Sequence, residues 1–364
     1  MALFLGACND SEGDLLEPKV YFENKEMTID VEDEASEMSF DLTSRLSTAN
    51  SSEVNVSYTI ADASVVDDYN KQYKTEYQYF NPEDVELSSA TSVIPTGRLY
   101  AESVKLKIKN LDVLEEGKPF ILPVRVKSSI ATLPGTSMVY LFINKPVKIT
   151  KAASFYSNYV HVRFPEGTFF KSFTYEALIY PTDLYGNNTV MGTEGVMIFR
   201  IGDPGGGTPA ECLEAAGRQK YNTTQPLQTG RWYHVALTYD QPSGKTNIYV
   251  NGEVVASSEW GIEGFAPNDD VGFNIGKIPG FPWGERPFKG YMSEVRLWSV
   301  ARTRNQLQQN MLTVDPKSEG LELYYKFNGS ETQENRTIKD TTGKITGETG
   351  GITVSQLGKP VEIQ

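Results

Sequence analysis

The sequence predicts an all-β protein that is built from two successive β-sandwich domains. Apolar and polar residues alternate along many short segments, such as Val54–Ile60 and Val104–Ile108, and this period of two is typical of half-buried strands. The chain contains 31 glycines and 19 prolines, which favour many short strands over long helices. Its 364 residues correspond to about two domains of roughly 150 residues, and 39% hydrophobic residues are enough to build their cores.

Residues 19–147 are expected to form the first domain, an immunoglobulin-like β-sandwich. The segment Phe120–Val126 is one of its strands, and Pro123 within that segment predicts an edge strand or a β-bulge. One helix is predicted at Val66–Tyr77, because two acidic residues stand near its start, where the helix dipole favours them.

Three segments of this first domain carry a family resemblance. They are the Tyr-rich segment Tyr73–Phe80, the turn Ile94–Gly97 and the strand Leu122–Val124. Together they resemble a domain of unknown function that follows the lipid anchor in many surface lipoproteins of Bacteroidota. The resemblance implies a β-sandwich that stands directly after a membrane anchor.

Residues 1–18 are interpreted as the remnant of a lipoprotein signal followed by an acidic linker. Leu5-Gly6-Ala7-Cys8 resembles a bacterial lipobox, in which a peptidase cuts before a cysteine that carries lipid, and the acidic stretch that follows is similar to the export signal of Bacteroidota surface lipoproteins. The resemblance implies lipidation of Cys8 and a place in the bacterial outer membrane, facing the cell exterior. No Lys or Arg precedes the apolar run, so two alternatives stay open: a start upstream of Met1, and an apolar N-terminus that carries a cysteine by chance.

The second domain, residues 148–364, contains four strand motifs in order. They are Phe173–Pro181, Gly230–Asp240, Asn247–Val255 and Phe288–Trp298. Asn251-Gly252 closes the third motif as a tight hairpin, and a short helix is predicted after the fourth, at Thr303–Met311. The motifs resemble the laminin G-like module of the concanavalin A-like lectin/glucanase superfamily. The resemblance implies a jelly-roll β-sandwich, with two curved antiparallel sheets packed face to face.

The composition argues against several classes of function. The net charge is −13 and the isoelectric point is about 4.8, and an acidic surface repels the phosphates of nucleic acids. Two histidines and two cysteines are too few to favour a zinc site or a His-based catalytic centre. No run of 18 apolar residues exists that could span a membrane as a helix. Cys212 is expected to be a buried free cysteine.

Glycoside hydrolysis is the enzymatic alternative, because some relatives of this fold are glycosidases. Such enzymes need paired carboxylates, and the retaining type places them as Glu-x-Asp-x-x-Glu, because alternate positions share one side of a strand. This chain has no such run, and Glu211 and Glu214 lie three residues apart, on opposite faces of a strand. A pair contributed by separate strands stays open, but the expectation is that the protein is not an enzyme.

Most aromatic residues in the second-domain motifs are interpreted as packing residues. Trp232 and Trp298 lie within framework strands of the resembled family and are expected to be buried. His234 belongs to the same framework and is expected to be structural, and not a ligand or a base. Tyr324 and Phe327 are expected to pack in the core.

Three loops are expected at one end of the second domain, because successive loops between antiparallel strands alternate between the two ends. They are Pro181–Thr189, Arg218–Gln228 and Pro279–Pro287. The last loop sets large aromatic rings among Pro and Gly, and a ring held by prolines loses little entropy when a ligand binds. Sugar rings stack on such side chains while polar groups meet the hydroxyls. The candidate ligand-binding residues are Trp283, Phe281, Arg286, Tyr185, Asn187, Asn222 and Tyr221. The alternative is that Trp283 folds back as an apolar plug beneath its own loop.

The same counting places Trp260 and three carboxylates at the opposite end. The carboxylates are Asp203, Asp269 and Asp270. Carboxylates near backbone carbonyls can bind Ca²⁺, and some laminin G-like modules bind calcium at one rim. The spacing matches no fixed calcium loop, so plain turns are the alternative, and no other cofactor is expected.

These observations predict a non-catalytic glycan-binding lipoprotein that captures glycans at a bacterial surface. The class of function follows from the family resemblance, and the anchor motif and the loop aromatics agree with it. The expected partners are oligosaccharides or polysaccharides and outer-membrane glycan-uptake proteins. A protein-binding adhesion module is the alternative, because laminin G-like domains often bind proteins.

Overall fold

The computed structural model describes residues 17–363 except Asp33 and Asp270. The lipidation candidate Cys8 and the calcium candidate Asp270 therefore lie outside the described residues. The chain divides into two compact units at Pro146/Val147, and Tyr73–Thr75 are grouped with the second unit. That each unit corresponds to an independently folding domain stays a prediction.

Eleven strands and one α-helix precede the division among the described residues. They are β1 (Val20–Tyr21), β2 (Glu26–Asp30), β3 (Glu37–Leu42), β4 (Arg45–Leu46), β5 (Val54–Ile60), α1 (Ser64–Tyr73), β6 (Gln78–Tyr79), β7 (Val85–Leu87), β8 (Thr91–Ile94), β9 (Val104–Lys109), β10 (Phe120–Ser128) and β11 (Met138–Asn144). The helix begins two residues earlier than predicted, and it ends at Tyr73 because Lys74 adopts a positive φ of 55°.

The first unit is a β-sandwich, as expected. Its larger sheet has the order β2-β11-β10-β5-β8, with β6 also paired to β10, and a second sheet has the order β3-β9-β7. Val56 and Val124 from the larger sheet and Leu106 and Ile108 from the smaller one belong to one buried apolar cluster. The alternation of apolar residues that predicts these strands is therefore also what joins the two sheets.

Pro123 lies in a central strand, which corrects the expectation of an edge strand or a bulge. β10 pairs on one side with β11 in a continuous register through Pro123. On the other side its partner changes, from β6 at Phe120–Ile121 to β5 from Val124 onward. On this second side the carbonyl of Pro123 accepts a hydrogen bond from Ala61 N. The N–H that proline lacks would point to the same side, at the place where β6 ends and β5 begins, so its absence interrupts neither pairing.

The second unit contains seventeen strands and one α-helix among its described residues. They are β12 (Lys151–Ser154), β13 (Val160–Val162), β14 (Phe173–Pro181), β15 (Asn188–Thr193), β16 (Met197–Asp203), β17 (Thr208–Gly217), β18 (Lys220–Asn222), β19 (Tyr233–Asp240), β20 (Lys245–Val250), β21 (Glu253–Glu259), β22 (Phe273–Ile275), β23 (Gly290–Trp298), α2 (Arg304–Gln309), β24 (Leu321–Tyr325), β25 (Gln333–Glu334), β26 (Thr337–Lys339), β27 (Thr346–Thr349) and β28 (Thr353–Gln356). Thr303 caps α2 through a reciprocal bond with Gln306, which fixes the start of the predicted helix.

Two antiparallel sheets form the second unit. The eight-stranded sheet has the order β21-β20-β19-β14-β23-β12-β28, with β24 beside β23, and the nine-stranded sheet has the order β18-β17-β16-β15-β22-β13-β27-β26-β25. Alternate side chains of both sheets meet in one large core, where the rings of Tyr175 and Phe273 are 5.6 Å apart, edge to face. The expected sandwich of two packed sheets is confirmed.

The remaining side chains of each sheet lie on its outer face. On β16, Phe199 and Ile201 join the core, whereas Ile198 and Arg200 face outward. On β14, Ile179 joins the core and Tyr180 faces outward. These two outer faces carry the candidate sites described below. Cys212 in β17 is buried and free, as expected. Within the described part of the chain, no helix is long and apolar enough to cross a membrane.

Candidate functional site

The segment 277–287, here named the Trp283 loop, presents the most exposed large ring among the described residues. The Trp283 side chain is 81% exposed and contacts the ring of Phe281 edge to face, at 5.3 Å between centroids. The alternative of a buried plug is therefore wrong. The loop is braced below its tip, because Ile278 N donates to Glu285 O and Gly280 N donates to the Glu285 carboxylate.

Phe281 is the buried residue that attaches this loop to the sheet, here called its foot, and it is not a second stacking surface. It is 8% exposed and packs with Ile198, Ala216 and Ile278 on the outer face of the nine-stranded sheet. Its ring faces are covered by protein, so the expectation that it stacks on a ligand is corrected. Two rings separated by one proline thus have opposite roles: Phe281 attaches the loop, and Trp283 faces solvent.

Arg286 is also part of the internal structure, contrary to the expectation that it meets sugar hydroxyls. Its guanidinium lies 4.8 Å from the centroid of the Phe281 ring and 2.6 Å from Glu194 Oε1. Its side chain is only 18% exposed. The ion pair and the ring contact therefore fix the loop against the sheet.

The loop Pro181–Thr189 lies beside the Trp283 loop, as the counting of loops predicts. The Tyr185 hydroxyl donates to Pro287 O at 2.8 Å, and Lys289 Nζ lies 4.4 Å from the centre of the Tyr185 ring. Tyr185 remains 44% exposed, so part of its side chain is accessible to a ligand. Asn187 is half-buried with a positive φ of 56°, and its backbone N–H donates to Gly202 O.

Tyr221 and Asn222 do not join this group of loops. Burial raises the pKa of the Tyr221 phenol, which bonds to Thr246 Oγ1 and packs edge to face on Trp260 at 5.6 Å. Asn222 donates to the neighbouring Thr223 O. The counting fails here because residues 220–222 form the short extra strand β18, which returns along β17.

Of the calcium candidates, Asp203 and Asp269 are among the described residues. Asp203 caps Gly206 N and lies 2.7 Å from Arg200 Nη2, so its carboxylate is already bonded. The turn that follows Asp203 lies beside the loop of Tyr185 and not at the opposite end, since a Cβ built on Gly186 would lie only 2.6 Å from Pro204. Asp269 is exposed. In the described ranges, no three His, Cys, Asp or Glu side chains stand together as metal ligands would.

The outer face of the eight-stranded sheet contains a buried ionic network beneath α2. Glu176 Oε2 accepts from His234 Nε2 and from Arg296 Nη1, both at 3.1 Å, and Glu176 Oε1 lies 3.4 Å from Arg302 Nε. Burial alone would raise the pKa of Glu176, but the hydrogen bond from His234 and the charges of both arginines lower it to about 2. Burial lowers the pKa of His234, so its ring is neutral at pH 7.

This network confirms the structural interpretation of His234. The His234 ring is fully buried, and its Nε2 is bonded to a charged carboxylate. Trp298, Tyr324 and Phe327 are buried as expected. Burial raises the pKa of Glu294, as a general acid requires, but this carboxylate is bonded to Arg296 and Tyr324 and is only 4% exposed.

Sequence reasoning missed a cleft of about 590 Å³ at one end of the same outer face. Its lining includes Tyr180, Trp232 and Tyr291, and Trp232 is half-buried instead of lying in the core as expected. Tyr180 and Tyr291 are register partners on β14 and β23. Both tyrosines stand next to core residues in their strands, and because successive side chains of a strand point to opposite faces, this position predicts that they face outward.

Comparison with known proteins gives the family. The model of the concanavalin A-like lectin/glucanases superfamily matches residues 156–308, and a model of an N-terminal domain matches residues 16–131. The crystal structure of a "putative carbohydrate binding protein" from Bacteroides ovatus ATCC 8483 is 60% identical, with 95% of this chain and 100% of that chain covered and a TM-score of 0.68. The chain belongs to the family of that protein. The laminin G-like domain expected from the four strand motifs is confirmed.

More distant similarities accompany this relative. A heptameric pentraxin from Limulus polyphemus is 16% identical to this chain, and the match covers 58% of this chain and 98% of the pentraxin with a TM-score of 0.35. Domain 4 of an arabinanase from Geobacillus stearothermophilus, in complex with arabinotriose, is 21% identical, covering 39% of this chain and 67% of that one, with a TM-score of 0.30. No curated protein matches significantly. The family assignment therefore depends on the Bacteroides ovatus relative.

Proposed function

We propose that this protein is a non-catalytic, lipid-anchored glycan-binding protein that captures oligosaccharides or polysaccharides at the surface of a bacterial cell for a glycan-utilisation system. The observation that carries the proposal is the 81% exposed indole of Trp283 on a braced loop. The name of the Bacteroides ovatus relative, which is that of a carbohydrate binder, agrees with it.

The geometry of the Trp283 loop suits a stacking platform. A ring of this size normally gains free energy by burial, so an ordered loop that holds it in solvent is informative. Because the loop is braced by Glu285, little conformational freedom remains to be lost when a ligand binds. Tyr185 on the neighbouring loop supplies a second exposed ring.

The carboxylates near this platform support a non-catalytic role. Glu285 is bonded to Lys277 at 2.6 Å and Asp183 to Lys289 at 2.9 Å. The hydrogen bonds from Lys277 and from Gly280 N lower the pKa of Glu285, whereas a glycosidase acid needs a raised pKa. Glu285 therefore remains charged, both carboxylates are paired with lysines, and we propose that the platform binds glycans without cleaving them.

Trp283→Ala is expected to reduce glycan affinity by about ten- to a hundredfold. Loss of one aromatic platform costs about 1–3 kcal/mol by analogy with base stacking, and about 1.4 kcal/mol is a tenfold change. The binding constant is measured by calorimetry with the strongest glycan from an array of neutral and acidic oligosaccharides.

Phe169→Ala is the matched control, because Phe169 is 47% exposed but lies outside the Trp283 loop and its neighbour. The control should bind like the wild type. Both variants should melt like the wild type, since an exposed ring contributes little to the core. Normal glycan affinity in Trp283→Ala would contradict the site, and binding of no glycan by the wild type would contradict the function.

Cys8→Ala is expected to abolish lipid attachment and to move the protein from the membrane fraction to the soluble fraction. The lipobox-like Leu5–Cys8 motivates this expectation. The measurement is metabolic labelling of the protein, expressed in a Bacteroidota host with its native upstream sequence, by an alkyne analogue of palmitate. Cys212→Ala is the control and should label fully. Equal labelling of Cys8→Ala and the wild type would contradict the anchor.

A further inference from the structure

The cleft on the outer face of the eight-stranded sheet, here named the aromatic cleft, has a floor of three large rings. The ring of Tyr180 lies 5.4 Å from that of Trp232 and 6.0 Å from that of Tyr291, measured between centroids. The ring plane of Tyr180 is inclined by 51° to that of Trp232 and by 62° to that of Tyr291. The exposed ring of Tyr156 extends this row beyond Tyr291, at 6.4 Å.

One wall of the aromatic cleft is the C-terminal segment Gln356–Glu362. Leu357 N donates to Thr150 O and Val361 N donates to Ile149 O, so backbone bonds fix this wall to the chain beside β12. Val361 is buried against Leu178 in a small apolar cluster that also includes Trp232. The wall is thus a built part of the fold, and the cleft of about 590 Å³ lies within the range of about 300–1,000 Å³ that is usual for ligand pockets.

The chemistry of the lining is mixed in a way that suits a sugar. The rings offer apolar faces, and Tyr180 and Tyr291 add phenol groups that can donate to and accept from ligand hydroxyls. Arg231, Lys359 and Glu362 stand exposed on the rim, and their charges leave only one net positive charge. A neutral ligand with apolar ring faces and many hydroxyls matches this combination better than a purely apolar or strongly charged one.

We propose that the aromatic cleft is a second glycan-binding site, which takes sugar rings of a neutral oligosaccharide on Tyr180, Trp232 and Tyr291. This inference rests on the proposed function and gives it a second point of attachment, on the other sheet from the Trp283 loop. Two sites on one domain increase the avidity for a polysaccharide that can reach both, without any change in the affinity of either.

Tryptophan oxidation followed by peptide mass spectrometry tests both sites in one wild-type sample. The probe is the strongest binder from a panel of neutral gluco-, manno-, galacto-, xylo- and arabino-oligosaccharides. Without sugar, oxidation should be fastest at Trp283, slower at the half-buried Trp232, and slowest at Trp260 and Trp298, which are 2% and 1% exposed. Saturating sugar should protect Trp232 as well as Trp283. Protection of Trp283 alone would contradict the proposal that the cleft binds sugar, but it would still agree with the proposed function.

Gly358→Phe tests the cleft without removing its floor. Gly358 lines the cleft, a Cβ there would meet nothing within 4 Å, and its backbone requires no positive φ, so the new ring can fill the space without strain. Gly261→Phe is the matched control, because Gly261 is equally open and lies outside the cleft. Both substitutions are made in a Trp283→Ala background, so that the measured affinity is that of the cleft. Gly358→Phe should lower the affinity for the probe by about ten- to a hundredfold, and Gly261→Phe should leave it unchanged. Equal affinity of the two variants would overturn the proposal, and binding of no panel member by the wild type would overturn it together with the proposed function.

Discussion

Glu176→Gln is expected to destabilise the laminin G-like domain by about 3–5 kcal/mol. Glu176 is the one carboxylate between Arg296, Arg302 and His234, and all four side chains are at most 3% exposed. Removal of the shared carboxylate from a buried ionic network leaves the positive charges with one negative charge fewer, in a medium that solvates them poorly. Arg296 keeps Glu294, but Arg302 loses the carboxylate beside its Nε.

The measurement is urea unfolding followed by tryptophan fluorescence. All four tryptophans lie between residues 232 and 298, so this signal reports the second domain alone. Glu263→Gln is the matched control, because Glu263 is exposed, and it should change stability by less than about 0.5 kcal/mol. A loss in Glu176→Gln as small as that of the control would contradict the role of the network.

The pH dependence of the same unfolding experiment follows from the lowered pKa of Glu176. The folded-state pKa is about 2 and the ordinary value is 4.5, so the stabilisation is present above about pH 4.5 and is lost as the pH falls toward 2. The Glu176→Gln variant has no carboxylate at this position and should show a smaller loss over that interval than the wild type.

Trp260→Ala is expected to destabilise the same domain by about 3–5 kcal/mol. Trp260 is 2% exposed and belongs to the main core cluster, where it meets Tyr221 edge to face. Truncation of a buried Trp removes its contacts and leaves a cavity that the surrounding sheet cannot fill. Its backbone is also fixed, since Trp260 N donates to Gly244 O.

Trp283→Ala serves as the matched control for this prediction, because the same residue type is removed from an exposed position. The control should unfold at the urea concentration of the wild type, whereas Trp260→Ala should unfold at a clearly lower one. If Trp260→Ala kept the stability of the wild type and lost glycan binding, Trp260 would be a binding residue and its burial would not reflect its role.

The sequence predicts the β-architecture well because each strand carries its own pattern. The segment Val54–Ile60 has the bounds expected from its alternation, and β14 coincides with the motif Phe173–Pro181. Pro123 is misjudged because local chemistry does not show that two different strands share one side of β10. Strand β18 is missed because three residues are too few for a periodic signal.

The candidate site is predicted less completely, because exposure depends on contacts between distant segments. Pro and Gly around Phe281 and Trp283 indicate a surface loop, but only the apolar patch of Ile198 and Ala216 decides which ring is buried. The aromatic cleft has a floor from β14, β23 and the residue before β19, and a wall from residues about 65 positions after Tyr291. No local pattern joins Tyr291 to Gly358, so the cleft becomes visible only in the folded chain.

Within the Trp283 loop, the residue that attaches the loop (Phe281) is separate from the residue at its tip (Trp283), and this has a consequence for how new binding specificities arise. The bonds that brace the loop run from Ile278 and Gly280 to Glu285, and Trp283 takes no part in them. The residue at the tip can therefore be exchanged for another amino acid at little risk to folding, whereas Phe281 cannot. A library randomised at position 283 should consist mostly of folded proteins, which makes this loop a starting point for directed evolution of the binding that we propose for its tip.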